Sequence, residues 1–440
     1  MNRREVRRKR RIRNQIISYV ISAVLLAAVA AGVFFGIRHI SNAMQEKRRQ
    51  EEMQESMEAE TESLPETGTS EEGVPETEGQ EGTPPAVSEE DLLEEMVNNA
   101  IANMSLEDKV AGLFIIRPEA ITGVGTVVQA GDGTRDALAK YPVGGLVYFT
   151  KNIQSSEQLK EMLGKTAGYA KYPLFLAVDE EGGRVARVAE ALGLENVGPM
   201  AAVGATGDAQ AARNVGTTIG TYLKEFGFNL DFAPVADVQT NPENTVIGDR
   251  AFGSDPASVS LMVQAAVEGM QEAGVSACLK HFPGHGNTTG DSHEGAVETG
   301  RTLEEMQAAE FLPFQAGIAA GVDMVMVGHI SAPGLTGGDA LPASLNEAVI
   351  TGILRNQLGY DGIVVTDAMD MAAISAYYAS DEAAIKALKA GADMILMPED
   401  FVQAYEGVIA AVRDGRIDED RVNDSLKRIY RVKYGDTLAQ

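Results

Sequence analysis

The sequence predicts an α/β protein: a (β/α)8 TIM-like barrel over residues 88–440, preceded by one transmembrane helix and a disordered acidic linker. Three observations predict it. Short apolar runs recur eight times, each separated from the next by a stretch of helical character. No second low-complexity break interrupts residues 88–440, a length ordinary for an α/β barrel and long for one open sheet. Polar residues able to do chemistry stand directly after several of the apolar runs, where a barrel places its site.

The amino-terminal segments come first. Arg3, Arg4, Arg7, Arg8, Lys9, Arg10, Arg11 and Arg13 crowd residues 1–15, with Glu5 the only acid. The whole chain carries a formal net charge of −27, and its acidic remainder would repel nucleic acid, so the basic patch is read as a cytoplasmic tail. Residues 16–37 hold no charge and are almost wholly apolar; at 1.5 Å per residue they span roughly 33 Å, enough to cross a bilayer core. A cleaved signal peptide has a shorter apolar region. The segment is therefore expected to be a single-pass signal anchor, with the remainder of the chain on the extracellular side. Residues 38–87 form the linker. From Glu51 to Glu81 there are twelve glutamates and no Lys or Arg, among Gly, Pro, Ser and Thr. Such a segment cannot bury enough apolar surface to fold. Within it, Leu64-Pro65-Glu66-Thr67-Gly68 resembles a sortase signal but lacks the apolar tail that follows one.

The barrel region opens with helical spacing over 89–102. The apolar runs are Leu113–Ile116, Gly145–Phe149, Leu174–Val178, Leu230–Val235, Val275–Leu279, Met324–Val327, Ile363–Val365 and Met394–Leu396. Amphipathic stretches lie between them: Ser156–Ala170, Asp208–Phe226, Ala257–Ala273, Leu303–Ala320, Glu347–Leu358 and Ala383–Ala390. Asp179 closes the third run, Lys280 and His281 the fifth, His329 the sixth and Asp367 the seventh. Cys278, the chain's one cysteine, cannot form an intrachain disulfide and reads as a small core residue.

Residues 280–295 carry the densest chemistry: Lys-His-Phe-Pro-Gly-His-Gly-Asn-Thr-Thr-Gly-Asp-Ser-His-Glu-Gly. Three of the five histidines sit here, among four glycines, so the stretch is a loop. Read from residues alone, it admits a Gly-rich turn, a metal site or an acid/base pair. His281, His285, Asp291 and His293 are all acceptable metal ligands, although Pro283, Gly284 and Gly286 forbid the helix that the His-x3-His spacing would suit. Asp291 and His293, two apart on a turn, could instead leave one imidazole nitrogen held and the other free for substrate.

Lys280-His-Phe-Pro-Gly-His-Gly286 followed by Asp291-Ser-His293 resembles glycoside hydrolase family 3, in its single-domain β-N-acetylglucosaminidase branch. Asp179-Glu-Glu-Gly-Gly-Arg-Val-Ala-Arg187, Gly248-Asp-Arg-Ala-Phe-Gly253 and Gly362-Ile-Val-Val-Thr-Asp367 resemble further segments of the same family, from about Met104 to about Tyr434. The resemblance implies that Asp367 is a catalytic nucleophile, with Asp370 in reserve, and that Asp291 and His293 form an acid/base dyad. It also implies that Asp179, Arg187, Arg250, Lys280 and His281 bind sugar. Glu180, Glu181 and Arg184 could instead be a charged turn and are given no role. The implied activity is retaining exo-β-N-acetylglucosaminidase, acting on an N-acetylglucosamine-containing glycan or muropeptide, with no metal or other cofactor. A phosphorylase or β-glucosidase activity, a metal-dependent barrel hydrolase and a non-catalytic wall-binding module are the alternatives. With no Trp in the chain, any sugar stacking must rest on Phe or Tyr.

Overall fold

Each of the eight apolar runs forms a strand: β1 (Phe114–Ile116), β2 (Gly145–Val147), β3 (Phe175–Val178), β4 (Leu230–Asp231), β5 (Ser276–Phe282), β6 (Met324–Val327), β7 (Ile363–Thr366) and β8 (Ile395–Leu396). This computed structural model describes residues 88–438. The expected basic tail, membrane anchor and acidic linker lie outside the described residues. Among the described residues no helix is long and apolar enough to cross a membrane.

All the strand pairings in the ring are parallel, in the order β7-β6-β5-β4-β3-β2-β1-β8. A parallel bridge between Val365 and Met394 brings the two ends together, and the Thr366 N–H donates to the Met394 carbonyl at 3.1 Å. Parallel neighbours need long crossovers, and those crossovers are helices that cover the outer face of the sheet. Both faces of each strand are thus withdrawn from water. This is why the runs are continuously apolar instead of alternating, and every residue of β1, β2, β3, β6 and β7 is buried.

The crossover helices are α1 (Asp132–Lys140), α2 (Ser156–Tyr169), α3 (Ala209–Phe226), α4 (Pro256–Glu272), α5 (Phe311–Ala319), α6 (Ala348–Gln357) and α7 (Ser380–Ala390); α8 (Phe401–Arg413) follows β8. Their starts are written in the sequence. Ser155, Asp208, Asp255 and Asp400 each accept a backbone N–H of the first turn, and Pro256 occupies the first turn of α4, where its missing donor costs nothing. The expected amino-terminal helix is Glu89–Ala102, capped by Ser88.

Two of the six expected helical stretches differ in form from expectation, and α1 and α8 lie outside those six. The helical stretch 303–320 is two helices, Leu303–Ala308 and α5, separated at Ala309 and Glu310. Pro313 lies in the first turn of α5, where it needs no donor, and the fully buried Glu310 is held by Arg301 at 3.0 Å. The stretch 347–358 is helical but coils as a π-helix, α6.

Helices α3 and α4 pack backbone against backbone in the barrel wall. A Cβ on Gly216 would stand 2.2 Å from the Ala266 carbonyl oxygen, and one on Gly269 2.2 Å from that of Arg213. Glycine weakens a helix interior by about 0.5–1 kcal/mol, but here it lets two backbones touch.

Candidate active site

The polar ends of the strands meet in a cavity of about 360 Å3. Asp179, Arg187, Arg250, Lys280, His281, His293 and Asp367 all line it, together with Asp370, Arg117, Phe149 and Phe232. Asp291 stands behind His293 and is not part of the lining. Sequence positions spread over about two hundred residues are thus brought to one end of the barrel.

The deep wall is built from β3, β5 and their loops. The predicted run ended at Leu279, but β5 continues to Phe282, so Lys280 and His281 belong to the strand itself. Lys280 is almost fully buried, and its Nζ reaches Asp179 Oδ1 at 2.7 Å and Glu181 Oε1 at 2.6 Å. Arg250 grips the same Glu181 from the other side, Nε to Oε2 at 2.7 Å and Nη2 to Oε1 at 2.8 Å. Burial alone would raise the Glu181 carboxyl, but Lys280 and Arg250 outweigh it and hold the group well below the usual carboxylate range.

The alternative of a charged turn therefore fits Arg184 but neither acid, since Glu180 and Glu181 are buried. Glu181 neutralises two cations inside the wall. Glu180 is fully buried and accepts from the Val188 and Ala189 amides at 2.6 and 2.9 Å and from the Tyr222 hydroxyl at 2.8 Å. These bonds fix the short helix Arg187–Leu192, whose first residue lines the cavity with its Nε buried and without a hydrogen-bond partner. Arg184 alone is exposed; it donates to the carbonyls of Thr245, Val246 and Ile247 and so pins the loop that presents Arg250.

His281 is oriented by a residue outside the sequence motifs quoted above. Asp237, fully buried, meets His281 Nδ1 at 2.7 Å and accepts the His285 amide at 2.6 Å. The signal was present, since Asp237 lies just beyond the apolar run that forms β4, as Asp179 and Asp367 lie beyond theirs. Gly286 follows for a steric reason: a Cβ there would stand 1.9 Å from the Val238 carbonyl oxygen.

Asp367 directly follows β7. Its Oδ1 accepts the Ala368 amide at 2.8 Å. Burial pushes its carboxyl up, but the His329 and His281 imidazoles, the Ala368 amide and Lys280 outweigh burial and leave it below its ordinary value. His329 does not line the cavity. Its Nε2 meets the Ala368 carbonyl at 2.9 Å, so that nitrogen carries the proton, while Nδ1 meets the Ser344 hydroxyl at 2.8 Å. Asp370 forms an ion pair with Arg117 at 2.8 Å across the cavity rim.

The other wall is more open. Asp291 Oδ1 accepts the His293 amide and meets His293 Nδ1, both at 2.9 Å. The His293 side chain is 69% exposed, which leaves Nε2 accessible. The three loop histidines are thus engaged separately, by Asp237, by Thr288 and by Asp291. Among the described residues no group of three or more His, Cys, Asp or Glu side chains is arranged to hold a metal ion.

Residues 105–432 match the model of the glycosyl hydrolase family 3 N terminal domain. β-Hexosaminidase A of Pseudoalteromonas piscicida is 34% identical over 326 residues, 68% of this chain and 54% of its own length. β-Hexosaminidase LpqI of Mycobacterium tuberculosis is 36% identical over 345 residues, 76% of this chain and 84% of its own. Among solved structures, a glycoside hydrolase family 3 β-N-acetylglucosaminidase from Paenibacillus sp. str. FPU-7 superposes with a TM-score of 0.71 at 37% identity, over 77% of this chain and 64% of that one. The chain thus spans little more than half the length of the first of these relatives.

Proposed function

The chain belongs to glycoside hydrolase family 3, and from that premise we propose that it is a retaining exo-β-N-acetylglucosaminidase. The observation that carries the reading is the pairing, in one cavity, of a depressed carboxyl, Asp367, with an imidazole held at Nδ1 and open at Nε2, His293. Asp179, Arg187, Arg250, Lys280 and His281 grip the hydroxyls of the terminal sugar at the deep wall. Asp367 attacks the anomeric carbon while His293, protonated on both nitrogens, gives its Nε2 proton to the departing glycosidic oxygen. The neutral imidazole then takes a proton from water as that water opens the glycosyl-enzyme. Asp291 holds the ring and stabilises its charged form. An imidazole places no second negative charge beside the nucleophile. For the same reason it admits phosphate in place of water, and a sugar 1-phosphate product in phosphate buffer would mark a phosphorylase.

The substrates proposed are peptidoglycan-derived fragments ending in N-acetylglucosamine. The outward topology supports this: residues 16–37 are proposed to anchor the chain with the barrel outside the cell.

Leaving-group dependence tests the dyad. His293→Ala should lower turnover of a disaccharide by about 100-fold or more, yet cost far less on an aryl glycoside of an acidic phenol, and azide should restore the latter. A 5-fluoro N-acetylglucosaminyl fluoride should label Asp367 by mass spectrometry. A label on Asp370, or equal losses across leaving groups together with inhibition by a chelator, would sink the reading.

A further inference from the structure

His285 has no place in the mechanism above, yet it is the most heavily bonded residue of the loop. Its ring is buried, and its amide is held by Asp237, the carboxylate that also orients His281. Its carbonyl accepts from Asn244 Nδ2 at 2.7 Å and from the Thr288 hydroxyl at 2.9 Å. The same Thr288 hydroxyl oxygen meets His285 Nδ1 at 2.7 Å, so this ring nitrogen is engaged within the loop. The other ring nitrogen, Nε2, faces Ser292 Oγ at 3.4 Å. Burial, reinforced by the nearby His281 ring, pushes His285 below the ordinary histidine value and favours the neutral ring.

Ser292 lies between the two members of the dyad. Its side chain is buried against His285, and its carbonyl accepts the Ala373 N–H at 3.2 Å, six residues beyond Asp367. An otherwise exposed acid/base loop is therefore tied at its midpoint to both the sugar-binding wall and the nucleophile segment. We infer that His285 and Ser292 form a latch that positions His293 over the glycosidic oxygen. His285 and Ser292 are positioning residues, since they act through the loop that carries the imidazole. The inference rests on the reading of His293 as acid/base.

The latch predicts a signature that a merely structural role does not share. Ser292→Ala deletes one hydroxyl without disturbing the bonds of His285 to Asp237, Asn244 and Thr288. It should displace the imidazole and so impair protonation of poor leaving groups selectively. We expect the ratio of kcat/KM between a disaccharide and an aryl glycoside of an acidic phenol to fall about tenfold in Ser292→Ala, in the direction of His293→Ala but less far. His285→Gln should shift the same ratio. Thermal unfolding of the full chain verifies the fold of each variant, and Ser292→Ala decides the matter if His285→Gln does not fold. If His293→Ala shifts the ratio and Ser292→Ala leaves it unchanged, the latch is overturned and the dyad stands. If His293→Ala leaves it unchanged, both fall.

Discussion

Glu181 illustrates how much of this site is invisible to a residue-by-residue reading. In sequence it is one acid in a Gly-flanked charged segment. In the fold it is the counter-ion of Lys280 and Arg250, all three nearly removed from water. Its replacement leaves Arg250 without its carboxylate and Lys280 with Asp179 alone, and breaking a buried pair in this way costs about 3–5 kcal/mol. Glu181→Gln should lower the unfolding midpoint accordingly, read by calorimetry at neutral pH. The pH dependence follows from the sign of the shift. The folded carboxyl sits below its unfolded value, so its contribution is complete above an unfolded glutamate pKa of about 4.3 and is lost as pH falls toward the folded value. The acid-side decline in stability should therefore be shallower in Glu181→Gln than in the native chain. A midpoint unaffected by the substitution would show the pair to be solvated in solution.

At the scale of elements, the strands and helix starts were legible because each obeys a local rule. A strand buried on both faces must be a short apolar run, and a helix start wants a Ser or Asp cap. Other features were not legible because their causes lie elsewhere in the chain. The division of 303–320 depends on Arg301 reaching Glu310, and Gly216 makes sense only beside Ala266 of α4. By helix propensity alone Gly216→Ala gains about 1 kcal/mol. The 2.2 Å approach to the Ala266 carbonyl reverses the sign, and overpacking of this kind costs about 1–3 kcal/mol. Gly216→Ala should thus lower the melting temperature, whereas a rise would mean that α3 and α4 leave room for a methyl group.

For the whole molecule, the barrel rule did more than any motif. Once eight apolar runs are aligned as strands, Asp179, Lys280, His281 and Asp367 fall at one end without further assumption. The rule could not rank them, because burial and pairing are properties of the assembled end. That Asp237 serves both His281 and His285 follows only from that assembly. The proposed anchor belongs to this scale too. Protease added to intact protoplasts should remove the barrel from the membrane fraction, and a chain beginning at Ser88 should be soluble and active. Protection of the barrel in intact cells would reverse the topology.

The contrast between the two walls of the cavity separates holding from cutting. Most of the groups proposed to grip the sugar are interlocked by ion pairs and hydrogen bonds, set before any ligand arrives: Lys280 by Asp179 and Glu181, Arg250 by Glu181, His281 by Asp237. The group proposed to move protons sits in the open on a loop, where solvent can reach it. Affinity and turnover are then governed by different parts of the chain. Stripped of its imidazole and its nucleophile, the barrel would keep the receptor and lose the blade, a lectin made by subtraction.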